Sequence, residues 1–480
     1  MSFKKKLFLI IVLAFLTRFV GLNWGNNYFF HPDENNMATA LSELSSQNLN
    51  PHFFAYGQFP LYLGYFSLKG LALPNTFANS IFILRIYSAI FSLFSLYFLY
   101  KIYPRLTFLL LLIFTPGLIQ VAHFGTTESL LILTFVINLY LAKLILIKPR
   151  FIYFIFAALC TAIAIATKIS GAIFLLPILL SAIITRSWYL IPFGFITLLI
   201  SVAFSPYSLL AFPDFISAMK YETSVAVGSL QVFYTSQFQN TLPYFFQITK
   251  IFPYVNGWPV LLLALFSIPF LQLKNKKYFL IIFISSLSYF IYFGQLYTKW
   301  TRFMSPLFFI LPLFATFFLK RFPKFLPIAL LPGLIFFCHY LFPDTRIVAS
   351  KFLVSKLASK TAILSESGNV VSLPLLANNF HIINYDFYNY DPVSLATALE
   401  NSEYLIVPSR RVFKNYNLKY YQHLFDESLG FQEIKKVSPF SDFFLNSENA
   451  EETWSVFDRP TIRIYQKTKS LDLGQYEQLL

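Results

Sequence analysis

Long apolar runs, broken by short polar stretches, organise the first seventy per cent of the chain. They lie near 7–23, 78–100, 106–122, 129–147, 151–167, 169–185, 188–206, 258–273, 278–294, 303–319 and 325–342. A helix needs about 20 apolar residues to cross the hydrocarbon core, with about 17 as the practical minimum. The pattern therefore predicts a polytopic α-helical membrane protein with about eleven transmembrane helices. The short connections alternate in character. Lys4–Lys6, Lys101 with Arg105, Lys148 with Arg150, Arg186, Lys274–Lys277 and Lys320–Lys324 all fall on one side. Clustered lysine and arginine mark the cytoplasmic side of a span. The opposite, outer side then receives the long loops 24–77 and 207–257, the turn at 123–128, the junction at Lys168 and the loop 295–302.

After residue 342 the pattern changes. Thr361-Ala-Ile-Leu-Ser365, His381-Ile-Ile-Asn-Tyr385 and Tyr404-Leu-Ile-Val-Pro408 read as short strands, and 392–402 reads as a helix between them. Strands alternating with helices predict a small soluble α/β domain outside the membrane. Two regions are expected: a transmembrane part, 1–342, and an extracytoplasmic α/β domain, 343–480.

Composition agrees with this division. Of 480 residues 56% are hydrophobic and 12% charged, about half the charged fraction of a soluble domain, which excludes one water-soluble globule. Residues 1–343 hold 23 basic and six acidic side chains, a net +17, whereas 344–480 hold 14 and sixteen, a net −2. All six acids of the membrane part (Asp33, Glu34, Glu43, Glu128, Asp214, Glu222) land on the outer side, although basic residues alone set the orientation. Cys160 and Cys338 sit in separate apolar runs and supply no disulfide framework. Met1-Ser-Phe-Lys-Lys-Lys6 and the run behind it look like a signal peptide without a small-residue cleavage site, so an uncleaved first span is expected.

The candidate chemistry lies on the outer face. His31-Pro32-Asp33-Glu34 places two adjacent carboxylates just after the first span, where acids are costly unless solvated or paired. Proline and acids also suit a helix N-terminus, and such a start would fix Asp33 rigidly enough for a general base. Gln58 opens the aromatic segment 59–68, whose amphipathic pattern suits an interfacial helix or a plain loop. His123 and Glu128 flank the second outer turn, where Glu128 is either a helix-starting acid behind Thr126 or Thr127 or a functional group. No spacing matches a metal signature, so no metal ligand is assigned. A divalent ion, if used, would draw on His123 and Glu128 with Asp33 or Glu34. Lys168, Lys299 and Arg302 are cations on the face that positive-inside counting disfavours, and Arg18 and Arg85 lie in the outer halves of their spans. Each has the alternative of snorkelling to headgroups; together they make a set able to hold a phosphate diester.

Taken together, Asp33-Glu34, Thr126-Thr-Glu128, Thr167-Lys168, Lys299-Trp-Thr-Arg302-Phe-Met-Ser-Pro306 and Glu452-Thr-Trp-Ser-Val-Phe-Asp458-Arg-Pro460 resemble the GT-C glycosyltransferase superfamily. The likeness is to the protein O-mannosyltransferases and aminoarabinose transferases and covers nearly the whole chain. It implies an inverting transfer of a monosaccharide from a polyprenyl-phosphate carrier to a hydroxyl of a protein, lipid or envelope glycan. It places the catalytic carboxylate at Asp33, supported by Glu34. The donor phosphate is expected on Lys168, Lys299, Arg302 and Arg85, with His31, Gln58, His123 and Glu128 in acceptor or supporting roles. Glu128 stands where many relatives have Asp, and Arg459 where His is frequent. The expected location is the plasma membrane, with the active site and C-terminal domain outside. Nucleic acid is not an expected partner.

Two other readings remain at this stage. A flippase or transporter of a lipid-linked sugar would place ionisable groups near the bilayer midplane and show paired repeats, whereas here the charges lie at helix ends. A membrane-anchored binding protein would do its work through the tail.

Overall fold

In the computed structural model, residues 3–271, 275–366, 373–376, 379–386, 390–410, 418–443 and 445–480 are described. The chain divides into two compact units: one of 1–23, 33–230 and 242–337, the other of 24–32, 231–241 and 338–480.

The first unit is helical. Among the described residues, Phe77–Ile102, Glu128–Ile147 and Lys276–Gly294 are long and apolar enough to cross a membrane, and the count rises to six if each bent pair is one span. The bent pairs are Leu106–Ile113 with Pro116–His123 (54°), Gln247–Asn256 with Trp258–Leu265 (111°) and Thr301–Leu307 with Ile310–Arg321 (48°). Shorter apolar helices run over Leu7–Phe19, Phe151–Thr167, Ile169–Thr185, Leu190–Phe204 and Pro323–His339. Each expected run thus contains an apolar helix, but the run 258–273 is not one straight span. Its α-helix stops at Leu265, the chain bends at Gly257 (φ +82°), and the run's last two residues and Lys274 fall outside the described residues.

One break explains a cation that the sequence left unassigned. Pro116 has no N–H, so it cannot serve the Leu112 carbonyl as the next turn of a continuous helix would. Arg18 supplies the donors instead. Its guanidinium reaches the carbonyls of Leu112 (3.1 Å) and Ile113 (2.6 Å) and the hydroxyls of Thr17 and Ser92. Arg18 is wholly buried and belongs to this tie, neither snorkelling to headgroups nor facing an outer site.

The second unit is built on a five-stranded mixed sheet: β1 Ala362–Glu366, β2 His381–Tyr385, β3 Tyr404–Val407, β4 Phe431–Val437 and β5 Ile462–Lys467. Their order is β2-β1-β3-β5-β4. β1 runs parallel to β2 and β3, while β5 pairs antiparallel with β3 and β4. Alternation fills both faces. Leu364, Leu405, Val407 and Tyr465 join one core with the helix Pro392–Glu400, and Ile363, Ile406, Ile462 and Ile464 join another with Ala349 and Leu353 of the helix Thr345–Lys356. The small α/β domain is therefore present, with two strands beyond the three expected.

The Asp458-Arg-Pro460 motif closes this unit. Asp458 accepts from Tyr340 (2.9 Å) and lies 3.3 Å from Nε2 of His339; Arg459 donates to the His339 carbonyl, and Thr345 to that of Pro460. Asp344 and Arg346 form a buried bidentate pair, and Arg346 lies 3.8 Å over the Phe30 ring. Gln237 exchanges hydrogen bonds with Glu451 and Glu452, which joins 231–241 to the same unit.

Candidate active site

Asp33 sits in the first turn of the helix Pro32–Ser42, as the proline and acids predict. Arg302 opens a 3-10 segment, Thr301–Leu307, after the short outer loop. The two are 269 positions apart, yet Nη1 of Arg302 donates directly to Oδ2 of Asp33. The same nitrogen reaches the hydroxyl of Tyr56 at 3.2 Å. The guanidinium also lies 5.7 Å over the Trp300 ring, a contact that holds its plane while leaving its edge for ligands.

Lys168 completes the group. Its ammonium stands 5.5 Å from the Tyr56 ring centre and 4.9 Å from that of Phe303. A backbone joint sets this approach: the Gly57 amide donates to the Thr167 carbonyl at 2.9 Å, and a Cβ on Gly57 would lie 2.1 Å from the Ala166 carbonyl oxygen. Only glycine allows the Tyr56 segment to lie so close to the end of Phe151–Thr167. Asp33, Tyr56, Lys168 and Arg302 are all half-buried.

The charges around them act on one another. Desolvation raises the Tyr56 hydroxyl pKa, Arg302 opposes this, and Asp33, Glu128 and Glu222 add to it. Desolvation, reinforced by Arg302, lowers that of Lys168 against the pull of Glu128, Asp33 and Glu222. Desolvation raises the Glu222 carboxyl above its ordinary value, with Arg302 and Lys168 opposing. Tyr56 is thus a member of the site that the sequence reading missed, and Glu222 lies within reach of the site's charges. Tyr56 had one signal, its place two residues before Gln58. Glu222 had another, as a sixth acid on the outer face with no assigned task.

Other candidates are placed differently. Glu34 is fully buried and takes both nitrogens of Arg85, at 2.9 and 2.6 Å, while also accepting from the Gly125 amide. Arg85, 1% exposed, donates further to the Leu22 carbonyl. This pair is committed to joining the first two outer turns, and the expected catalytic support from Glu34 and phosphate contact from Arg85 give way to that tie. Lys299 turns its ammonium back to the Tyr297 carbonyl at 2.9 Å and is almost wholly buried, whereas Lys168 is half-buried. His123 spans the carbonyls of Ile119 (2.8 Å) and Val20 (2.9 Å) and acts as a strut. Gln58 accepts from the Tyr207 amide and the Tyr62 hydroxyl, which anchors the start of the helix Phe59–Gly70. His31 packs on Phe457 at 5.0 Å within the second unit. Glu128 begins the helix Glu128–Ile147 and is close enough for its charge to reach Lys168, Arg302 and Tyr56. Thr127 precedes it as N-cap but makes no side-chain cap bond.

Among the described residues, no three or more His, Cys, Asp or Glu side chains gather where they could hold a metal ion. The set that the sequence offered does not fit one, because Asp33 is engaged by Arg302, Glu34 by Arg85 and both ring nitrogens of His123 by backbone carbonyls.

Residues 71–209 match the family model of dolichyl-phosphate-mannose-protein mannosyltransferases. No curated protein sequence matches the chain. Among solved structures, the chain is similar over 98% of its length to ArnT from Cupriavidus metallidurans bound to undecaprenyl phosphate, at 13% identity, a TM-score of 0.55 and 99% coverage of that chain. The apo form of the same ArnT matches over 95% of this chain and 97% of that one, at 13% identity and a TM-score of 0.51.

Proposed function

We propose that this chain is an inverting GT-C glycosyltransferase, a reading supported by the family-model match over residues 71–209 and by the ArnT-like fold. It moves a monosaccharide from a polyprenyl-phosphate carrier to a hydroxyl acceptor at the outer face of the cell membrane, with its N-terminus in the cytoplasm. The observation that carries this reading is the meeting of Asp33, Arg302, Tyr56 and Lys168 in one cluster, drawn from four distant segments.

The chemistry follows from the group. A phosphate diester entering the cluster meets Arg302 and Lys168, which stabilise the charge that develops on its oxygens as the sugar leaves. Phosphate matches the guanidinium fork at least as well as a carboxylate does. Donor binding therefore draws Arg302 away from Asp33 and leaves that carboxylate free for the acceptor. The acceptor oxygen attacks the anomeric carbon from the face opposite the phosphate, and its proton passes to Asp33. The anomeric carbon–oxygen bond to phosphate breaks, and the carrier leaves as a monoester with the configuration inverted. Tyr56 keeps Arg302 oriented through its hydroxyl. Glu34 and Arg85 act as positioning residues, holding the helix that presents Asp33. Arg302 and Lys168 provide the positive charge this route uses. The sugar and the acceptor are not specified by these residues.

The test is Asp33→Asn in membranes supplied with a polyprenyl-phosphate sugar. Loss of transfer by a factor of about 10²–10⁴, the usual worth of a general base, with undecaprenyl phosphate still bound, is expected. Normal transfer by that variant would remove Asp33 from the mechanism.

A further inference from the structure

The helix Phe212–Val227 is held against the site at both ends. Near its start the Phe215 ring meets Phe54 edge-on at 6.3 Å, two residues before Tyr56. Near its end the Ala226 carbonyl accepts from the Thr298 amide at 3.2 Å and its hydroxyl at 3.4 Å, four residues before Arg302. The turn that follows packs Gly228 on the Tyr297 ring, where a Cβ would come within 2.6 Å.

At 3.6 residues per turn, positions 215, 222 and 226 fall on one face, two and three turns apart. Glu222 thus lies midway along the face clamped between the Tyr56 segment and the Arg302 loop. Its side chain is exposed, and the charges of Arg302, Lys168 and Asp33 all bear on it. Glu128, the other acid near the cluster, is by contrast buried at 4% exposure.

A carboxylate in that place is unhelpful to a phosphate, since like charges repel and it competes for the same cations. Its presence is favourable if another part of the ligand offers hydrogen-bond donors. A sugar ring does so through its hydroxyls, and a charged acceptor forms the stronger class of hydrogen bond with them. Asp33 is already assigned to the acceptor's proton. Building on the glycosyltransferase reading, we infer that Glu222 is a specificity-determining residue, whose carboxylate accepts hydrogen bonds from hydroxyls of the donor's sugar while Arg302 and Lys168 hold its phosphate.

The inference makes one substitution act with opposite signs on two ligands. Binding to the full-length protein in detergent is measured with bare undecaprenyl phosphate and with undecaprenyl-phosphate mannose and glucose, for wild type, Glu222→Gln and Glu222→Ala. Bare carrier is expected to bind Glu222→Ala as well as wild type or a few-fold tighter, because a negative charge beside the cations has gone. The sugar-bearing carrier that wild type prefers is expected to bind Glu222→Ala more weakly by about tenfold or more, the scale of losing one hydrogen bond to a charged group. Glu222→Gln should fall between, as it keeps one acceptor oxygen.

A parallel loss for both ligands would show a merely structural helix position and overturn the inference, as would no change for either. Wild type that binds bare carrier but gains nothing from either sugar would also overturn it while leaving the donor reading standing. Wild type that binds neither ligand would sink the donor reading itself.

Discussion

Arg302 closes on Asp33 across 269 positions of chain, and the ion pair is only partly covered, with side-chain exposures of 27% and 16%. A paired carboxylate is held charged and is a weak base; a pair open to solvent is one that an arriving anion can exchange. The resting site is thus self-neutralised, and the proposed donor phosphate is the partner that undoes the pairing.

Arg302→Lys separates charge from geometry. Lysine keeps the positive charge but loses the planar fork and the stacking on Trp300. Donor affinity should fall by about tenfold or more, and Arg302→Met should lose more still. Titration with undecaprenyl phosphate reads both. Equal binding by Arg302→Met and wild type would move the phosphate away from this residue.

On the proposed function, Lys168 is expected to set the alkaline limit of donor binding. Desolvation lowers its pKa from the ordinary lysine value, so its charge disappears at lower pH than that of a surface lysine. In the proposed function the protonated form holds the phosphate. Binding should therefore be complete on the acid side and decline as pH rises through the lowered pKa. Lys168→Arg, whose charge persists throughout the range, should extend the plateau to higher pH. A profile identical in both proteins would show that Lys168 is not the titrating group.

Glu34 and Arg85 predict stability rather than chemistry. Removing one partner of a buried pair strands the other charge, at a cost of about 3–5 kcal/mol. Glu34→Gln should lower the thermal midpoint in detergent well beyond Asp33→Asn, whose side chain keeps 16% exposure where that of Glu34 has none. Transfer by the Glu34→Gln molecules that remain folded should survive. Equal midpoints with abolished transfer would return Glu34 to the catalytic group.

The two neighbouring acids show what the sequence reading reached and where it stopped. Successive helix positions differ by about 100° in direction, so Asp33 faces Arg302 while Glu34 faces Arg85. Adjacency suggested a shared task, and only the fold divides them. Apolar run length was enough to find the helices, because a span must be apolar throughout. The break before Pro116 was not apparent, since its carbonyls are satisfied by Arg18, nearly a hundred positions away. β4 escaped because its five central residues are exposed and three of them charged, and β5 carries Arg463 and Lys467. Tyr56 enters the site, and Glu222 comes within reach of its charges, only through the Gly57 joint and the seating of the helix Phe212–Val227, neither of which is a local pattern.

Gly57 provides the sharpest control on the assembly itself. Alanine there would force its Cβ to within 2.1 Å of the Ala166 carbonyl oxygen, so the two backbones must separate by more than an ångström. Tyr56 would then leave Lys168, and the Gly57–Thr167 hydrogen bond would lengthen. Gly70, at the end of the helix Phe59–Gly70, has open space around the same added carbon. Gly57→Ala should lose donor binding by about tenfold or more together with some thermal stability, whereas Gly70→Ala should bind normally and gain up to about 1 kcal/mol from the better helix former. Titration with undecaprenyl phosphate and thermal unfolding of the two variants side by side decide the matter. If Gly57→Ala binds like Gly70→Ala, the contact between the Tyr56 segment and Lys168 does not set the phosphate site.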